Sequence, residues 1–171
     1  MSIFMKATTA NSTFSDFMTS TDTVEQSYEL KLTRVREVGA SRPITSPEEA
    51  VSYWNEVIKN RSWFHLTREH VVTLLLDNRR NIAGHHLVSI GTLNECHAHP
   101  RDILGPVICG AAHSFLLMHN HPSGDPSPSQ ADHSLTKRIN EGANLLCVEM
   151  ADHIVIGAQK RYFSFREAGL L

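Results

Sequence analysis

Cysteine is scarce in this chain: Cys96, Cys109 and Cys147 are the three found among 171 residues. Their number is odd, they lie far apart and no CxxC pair occurs, so neither a disulfide framework nor a cysteine-rich zinc module is supported. A reducing cytosol is the expected setting. Charge of one sign is lacking too. Sixteen Lys and Arg stand against eighteen Asp and Glu, a net charge of −2. No global positive field is available to hold a phosphate backbone, which argues against direct nucleic-acid binding. Nowhere are there ~18 consecutive apolar residues, so no membrane span is expected. The start of the chain has no apolar run of the ~7–15 residues that a secretory signal needs. Eleven of the first 27 residues are Ser or Thr. So few aliphatic side chains cannot offset the entropy of ordering, and residues 1–27 are expected to form a loose tail. Together these absences point to a cytoplasmic protein.

What is present suits one globular domain, with 41% apolar residues and a length close to the usual ~150 residues per domain. Residues 28–45 read as a lead-in, with a partly alternating strand pattern over Glu29–Val38. The domain proper spans 46–171. Ser46-Pro47-Glu48-Glu49 gives an N-cap, a proline at the first helical position and a carboxylate three residues after the cap; Val51, Trp54, Val57 and Ile58 follow at helical spacing. The spacing predicts about three turns. His70–Leu76 and Ile82–Ile90, separated by Asp77-Asn78-Arg79-Arg80-Asn81, predict a hairpin. A helix should open at Pro100, kinked or shortened by Gly105-Pro106. Ser114–Met118 reads as a buried strand, and a second good helix starts near Ser129, with Gly142 helping to end it. Strands at Leu145–Met150 and His153–Ile156 close the pattern, and the final FSFREAGLL is short and mixed. The order of elements predicts an α/β fold with helices packed on a mixed sheet.

Seven of the eleven histidines fall between positions 97 and 153, and the informative ones are His119-Asn120-His121. At a strand end, residues i and i+2 point to one side with Cα atoms roughly 6.7 Å apart, so two imidazoles can meet one ion at ~2.0–2.1 Å. Pro122, Pro126 and Pro128 stiffen the loop that follows, Gly124 lets it turn, and a helix start returns beside the strand end. Asp132, in the first turn of that helix, would be a third ligand. His, His, Asp and an open position is the arrangement of a catalytic rather than a structural zinc. Ser129 and Asp132 also fit an SxxD capping box; the two roles are compatible.

The string HNHPSGDPSPSQAD matches HxH, seven residues, S, two residues, D, and so resembles the JAMM (MPN+) metalloprotease motif. The longer run HNHPSGDPSPS looks like the RadC-type branch of that JAB/MPN family. The resemblance extends from about Ile44 to Leu171, through EHVVTLLLDNRRN, GTL, HPRDIL, ADHIVIG and FSFREAGL. It implies a cytidine-deaminase-like three-layer α/β/α fold and one zinc ion per chain on His119, His121 and Asp132. It further implies an upstream glutamate as general acid/base, best matched by Glu69, with Glu95 and Glu141 as weaker candidates. Ser129 corresponds to the family's serine, which hydrogen-bonds the oxyanion. Asp152-His153 also matches the family, and is read as a hydrogen-bonded pair supporting the fold.

The chemistry so implied is metal-assisted hydrolysis of an amide bond in a peptide or isopeptide substrate, with Glu69 moving the proton from water to the leaving amine. Competing patterns fail on spacing. HLTREH puts three residues rather than two between His65 and Glu69, which breaks the inverted zincin motif; HExxH is absent, and so are the HxE and PCxxC of zinc nucleobase deaminases. The alternative of another class is a non-catalytic or DNA-repair-associated accessory protein acting through a partner. Full-length members of the RadC-type family place a helix-hairpin-helix domain before the JAMM domain, where this chain has about 45 residues. His85-His86 reads as exposed polar surface rather than a second metal site.

Overall fold

The capping box at Ser46 starts a helix where its spacing predicts one. In the computed structural model, which describes residues 43–91 and 98–171, Glu49 Oε2 accepts from the backbone N–H of Thr45 (2.6 Å) and of Ser46 (3.3 Å). Helix α1 (Pro47–Tyr53) follows and continues as a π-helical turn through Ile58, burying Ala50, Val51, Tyr53, Trp54 and Ile58. The expected tail, the strand at 29–38 and Glu95 lie outside the described residues. The hairpin forms as predicted, from β1 (His70–Leu76) and β2 (Ile82–Ile90). Asp77 Oδ1 closes its turn by accepting from the N–H of Arg79 and of Asn81, each at 2.8 Å.

Helix α2 (Pro100–Cys109) runs through Gly105-Pro106, so of the two effects expected there, a kink or a shortening, the shortening does not occur. The carbonyl that Pro106 leaves without an N–H belongs to Asp102, which is exposed, so water can take the missing donor's place. Strand β3 (Ser114–Asn120) reaches two residues further than its apolar run. Helix α3 (Gln130–Leu145) passes Gly142 by three residues. That glycine does not end the helix; a Cβ there would lie 3.0 Å from Leu104 Cδ1, so it lets α3 approach α2. Leu145 is therefore helical rather than the start of a strand, and Cys147 makes the reversal at φ 55°. One strand, β4 (Glu149–Ile156), replaces the two expected, and β5 (Tyr162–Ser164) follows.

The sheet order is β2-β1-β3-β4-β5, with β3 and β4 parallel and the other pairs antiparallel. Because β1 and β3 are covered on both faces, they read as near-continuous apolar runs. On one face Val72, Leu74, Leu76, Leu116, Met118 and Ile154 pack with α1. On the other, Val71, Leu75, Phe115 and Leu117 pack with Ile103, Leu104, Val107, Ile139 and Ala143 of α2 and α3. These are the three α/β/α layers implied by the resemblance. Helix α3 connects the parallel strands, so its N-terminus lies at their carboxyl ends, where open α/β sheets place ligands.

Candidate metal centre

Strand β3 delivers the first histidine. His119 pairs across to Val71 on β1 and to Val155 on β4, and is 1% exposed. His121 sits just past the strand end, its N–H donating to Ile156 O at 3.0 Å. The loop then turns sharply: the Gly124 N–H donates to His121 O, and the Ala158 N–H to Gly124 O. Gly124 has φ +82°, and a Cβ on it would meet Ala158 Cβ at 2.8 Å, so both conformation and space require glycine. Ser129 caps α3, donating from its N–H and its hydroxyl to Asp132 Oδ2, each at 2.7 Å, while its Oγ accepts from the Asp132 N–H. The capping box predicted from the sequence is thus the device that aims Asp132, and the helix N-terminus favours its charge.

His119 Nε2 lies 3.1 Å from His121 Nε2 and 3.2 Å from Asp132 Oδ1, and His121 Nε2 lies 3.6 Å from Asp132 Oδ2. His121 Nδ1 is 2.9 Å from the Asp125 carbonyl, which can only accept, so Nδ1 carries the hydrogen and Nε2 of the neutral ring offers a lone pair. Two ring nitrogens and a carboxylate therefore converge on one point. A proton on either ring, or a metal ion between the three groups, answers the charge of Asp132 there. Ligands at ~2.0–2.1 Å around a tetrahedral ion stand ~3.3 Å apart, close to the separations found. His119, His121 and Asp132 are the group of three among the described residues whose ligand atoms come together in this way. Burial alone would raise the Asp132 carboxyl, but hydrogen bonding to the rings of His119 and His121 outweighs it and holds the group well below the usual carboxylate range. Asp132 in turn raises His121, against its burial.

Glu69 precedes β1 by one residue. Two positions before Val71, it is carried to the same side of the sheet as His119. It is half-buried, and burial pushes its carboxyl up while the charges of His119 and His121 act on it in the opposite sense. Asn120, between the two histidines, points the other way and brackets Glu69. Its Nδ2 donates to Arg68 O and its Oδ1 accepts from the His70 N–H, both at 3.0 Å. Glu141 is exposed and nine residues beyond Asp132 on α3, about 13.5 Å along the axis, too far to serve the same site.

Two polar pairs differ in part from their sequence reading. Asp152 and His153 are split between faces of the sheet. Asp152 accepts from Ser164 Oγ and from the N–H groups of His153 and Arg166. His153 lies under His119, its Nε2 2.9 Å from His119 Nδ1. Burial holds the His153 ring well below its ordinary pKa. His85, read as exposed surface, is 2% exposed and shares a 2.8 Å hydrogen bond with the Tyr53 hydroxyl. Helix α1 covers that part of β2, which strand alternation alone does not reveal. No helix among the described residues is long and apolar enough to cross a membrane.

Comparison with known proteins agrees with the motif. A family model described as RadC-like JAB domain matches residues 44–170. A UPF0758 protein of Trichlorobacter lovleyi is 39% identical over 127 residues, 74% of this chain and 53% of the relative. The UPF0758 protein YsxA of Bacillus subtilis is 39% identical over 128 residues, 75% and 53% of the two chains. A UPF0758 protein of Desulforamulus reducens is 42% identical over 106 residues, 62% and 46%. The chain spans about half the length of the curated relatives it matches.

Proposed function

Because the chain belongs to the RadC-like JAB domain family, we propose that it is a zinc-dependent metallohydrolase of the JAMM type, cleaving an amide bond in a peptide or isopeptide. The observation that carries this reading is the convergence of three ligand-type groups, His119 Nε2, His121 Nε2 and the Asp132 carboxylate, beside a half-buried Glu69.

His119, His121 and Asp132 would hold the ion as two neutral nitrogens and one anionic oxygen, a donor set that suits zinc among the divalent metals. Zinc in that cage would supply Lewis acidity, lowering the pKa of a water molecule and polarising a carbonyl. Glu69 does the proton work. A carboxyl lifted by burial holds a proton closer to neutral pH than an exposed one, which suits a group that must take it from water and return it to a leaving amine. Asn120 holds the backbone on either side of Glu69, so the carboxyl is presented without a search through loop conformations. Ser129 steadies Asp132 with both of its donors. Its hydroxyl can serve a developing oxyanion only by exchanging Asp132 Oδ2 for it.

The test begins with metal. Protein purified without a histidine tag should contain about one zinc per chain, and His121→Ala none. The zinc-loaded parent is then screened against peptide and isopeptide substrates beside Glu69→Gln. Zinc retained and turnover lost in Glu69→Gln is the expected result. Full hydrolysis by that variant would remove Glu69 from the mechanism.

A further inference from the structure

Behind His119 lies a chain of three hydrogen bonds that begins on the Asp132 main-chain carbonyl, and a fourth contact, from His119, returns to the Asp132 carboxylate. Thr136 Oγ1 is 2.6 Å from the Asp132 main-chain carbonyl and 2.6 Å from His153 Nδ1. His153 Nε2 is 2.9 Å from His119 Nδ1, and His119 Nε2 faces Asp132 Oδ1. Thr136 is 2% exposed and His153 wholly buried, so water does not compete for these groups.

One assignment of protons satisfies all three contacts. The Asp132 carbonyl has no hydrogen, and two oxygens at 2.6 Å repel unless a proton lies between them; the Thr136 hydroxyl must donate there. Its oxygen then offers only lone pairs to His153, so His153 Nδ1 carries the hydrogen. The neutral ring leaves Nε2 as an acceptor, which requires His119 Nδ1 to donate. His119 Nε2 is thereby left with its lone pair pointing into the cage. Reversing the relay would leave Thr136 Oγ1 and the Asp132 carbonyl in contact without a proton, and would point an N–H of His119 at the ion.

We propose that Thr136 and His153 are positioning residues that lock His119 in the tautomer able to bind metal, so that the helix turn supplying one ligand also sets the tautomer of another. The inference rests on the cage being a metal site. Outer hydrogen-bond partners of metal-binding histidines typically change affinity 10–100-fold. The usual partner is a carboxylate or a carbonyl; here it is a second imidazole, whose own direction is set by a hydroxyl.

Two readouts test it on the full chain. In zinc-free parent protein, two-bond ¹H–¹⁵N spectra of the imidazoles, assigned by the signals lost in His119→Gln, should show His119 protonated at Nδ1. Zinc alone, titrated against a chromogenic chelator, should bind Thr136→Ser within about threefold of the parent. Thr136→Val, equal in shape but without the hydroxyl, should bind 10–100-fold more weakly, with thermal melts showing both variants folded. His119 protonated at Nε2 in a parent that binds zinc would overturn the relay and leave the metal site standing. Folded Thr136→Val binding zinc as tightly as the parent would also overturn it. A parent that binds no zinc would overturn the metal reading itself, and the relay's purpose with it.

Discussion

Asp132 and Asp152 are both buried carboxylates, one at the start of α3 and the other on β4, and they pack on opposite faces of the sheet. Their surroundings differ in what they offer. Asp152 is met by donors that already carry hydrogens: Ser164 Oγ and two backbone N–H groups. Its burial outweighs those hydrogen bonds and the charge of Arg166, and its carboxyl is pushed up. Asp132 receives the two donors of Ser129 on Oδ2, but is otherwise aimed at ring nitrogens whose other positions are engaged as donors. A carboxylate that is satisfied within the fold is holding the fold together. One that faces two ring nitrogens is answered by a ring proton or by a metal ion.

The sharpest way to break this comparison is to neutralise each carboxylate in turn. Asp132→Asn should abolish stoichiometric zinc binding, read by elemental analysis, while Asp152→Asn keeps about one zinc per chain. If both lost the metal equally, the distinction between the two aspartates would fail. Glu69→Gln ranks next, with an expected loss of 10²–10⁴-fold in turnover at unchanged zinc content. Asp152→Asn should then appear as a stability effect, about 1.5–3 kcal/mol for hydrogen bonds to a charged group, measured by urea unfolding.

The pH dependence sharpens the contrast, because the two shifts have opposite signs. Asp132 is held below its unfolded value, so in zinc-free protein it contributes stability above the ordinary carboxylate pKa that is lost as pH falls through that range. Asp152 is raised, so the native state binds the extra proton, and stability falls as pH climbs from the unfolded value through the native one. The cost of Asp132→Asn should therefore grow between acid and neutral pH, and that of Asp152→Asn should shrink. Denaturant midpoints of parent and variants across that range would show the crossing; parallel profiles would contradict it.

How far the sequence could lead is clearest around the cage. The i, i+2 histidines, the prolines and the SxxD cap are local in sequence, so the strand end, the loop and the helix start were legible together, and the structure brings His119, His121 and Asp132 to one point. His153 was not. Its role depends on which face of β4 it occupies, and β4 carries an irregularity opposite Phe115/Leu116 that breaks simple alternation. Reading two strands in place of one left that face undefined. Thr136 is one helical turn past Asp132, a spacing that could have drawn attention to it had the strand beneath been placed. Asn120 lay inside the motif, yet its partners Arg68 and His70 are some fifty residues away. Gly142 reads as a helix end because its packing partner, Leu104, lies on another helix and far off in sequence.

His85 supplies the smallest test and extends the comparison to a histidine. Like Asp152 it is buried with a partner inside the fold, the Tyr53 hydroxyl. Burial lowers its pKa to about 4, with the nearby charges of Arg61 and His86 acting in the same sense. His121, in the cage, is raised instead. The unfolded chain binds a proton at His85 near pH 6.5 that the native state refuses until about pH 4, so His85 costs stability as pH falls across that window. His85→Gln keeps a polar partner for Tyr53 and removes the titration. It should lose about 1 kcal/mol at neutral pH and lose less further stability than the parent on acidification from pH 6.5 to 4, at unchanged zinc affinity. Urea unfolding of the two proteins at several pH values measures both effects. An identical acid slope in parent and variant would show that His85 is protonated as readily in the native chain as in the unfolded one, and that its burial beside Tyr53 does not exclude the charge.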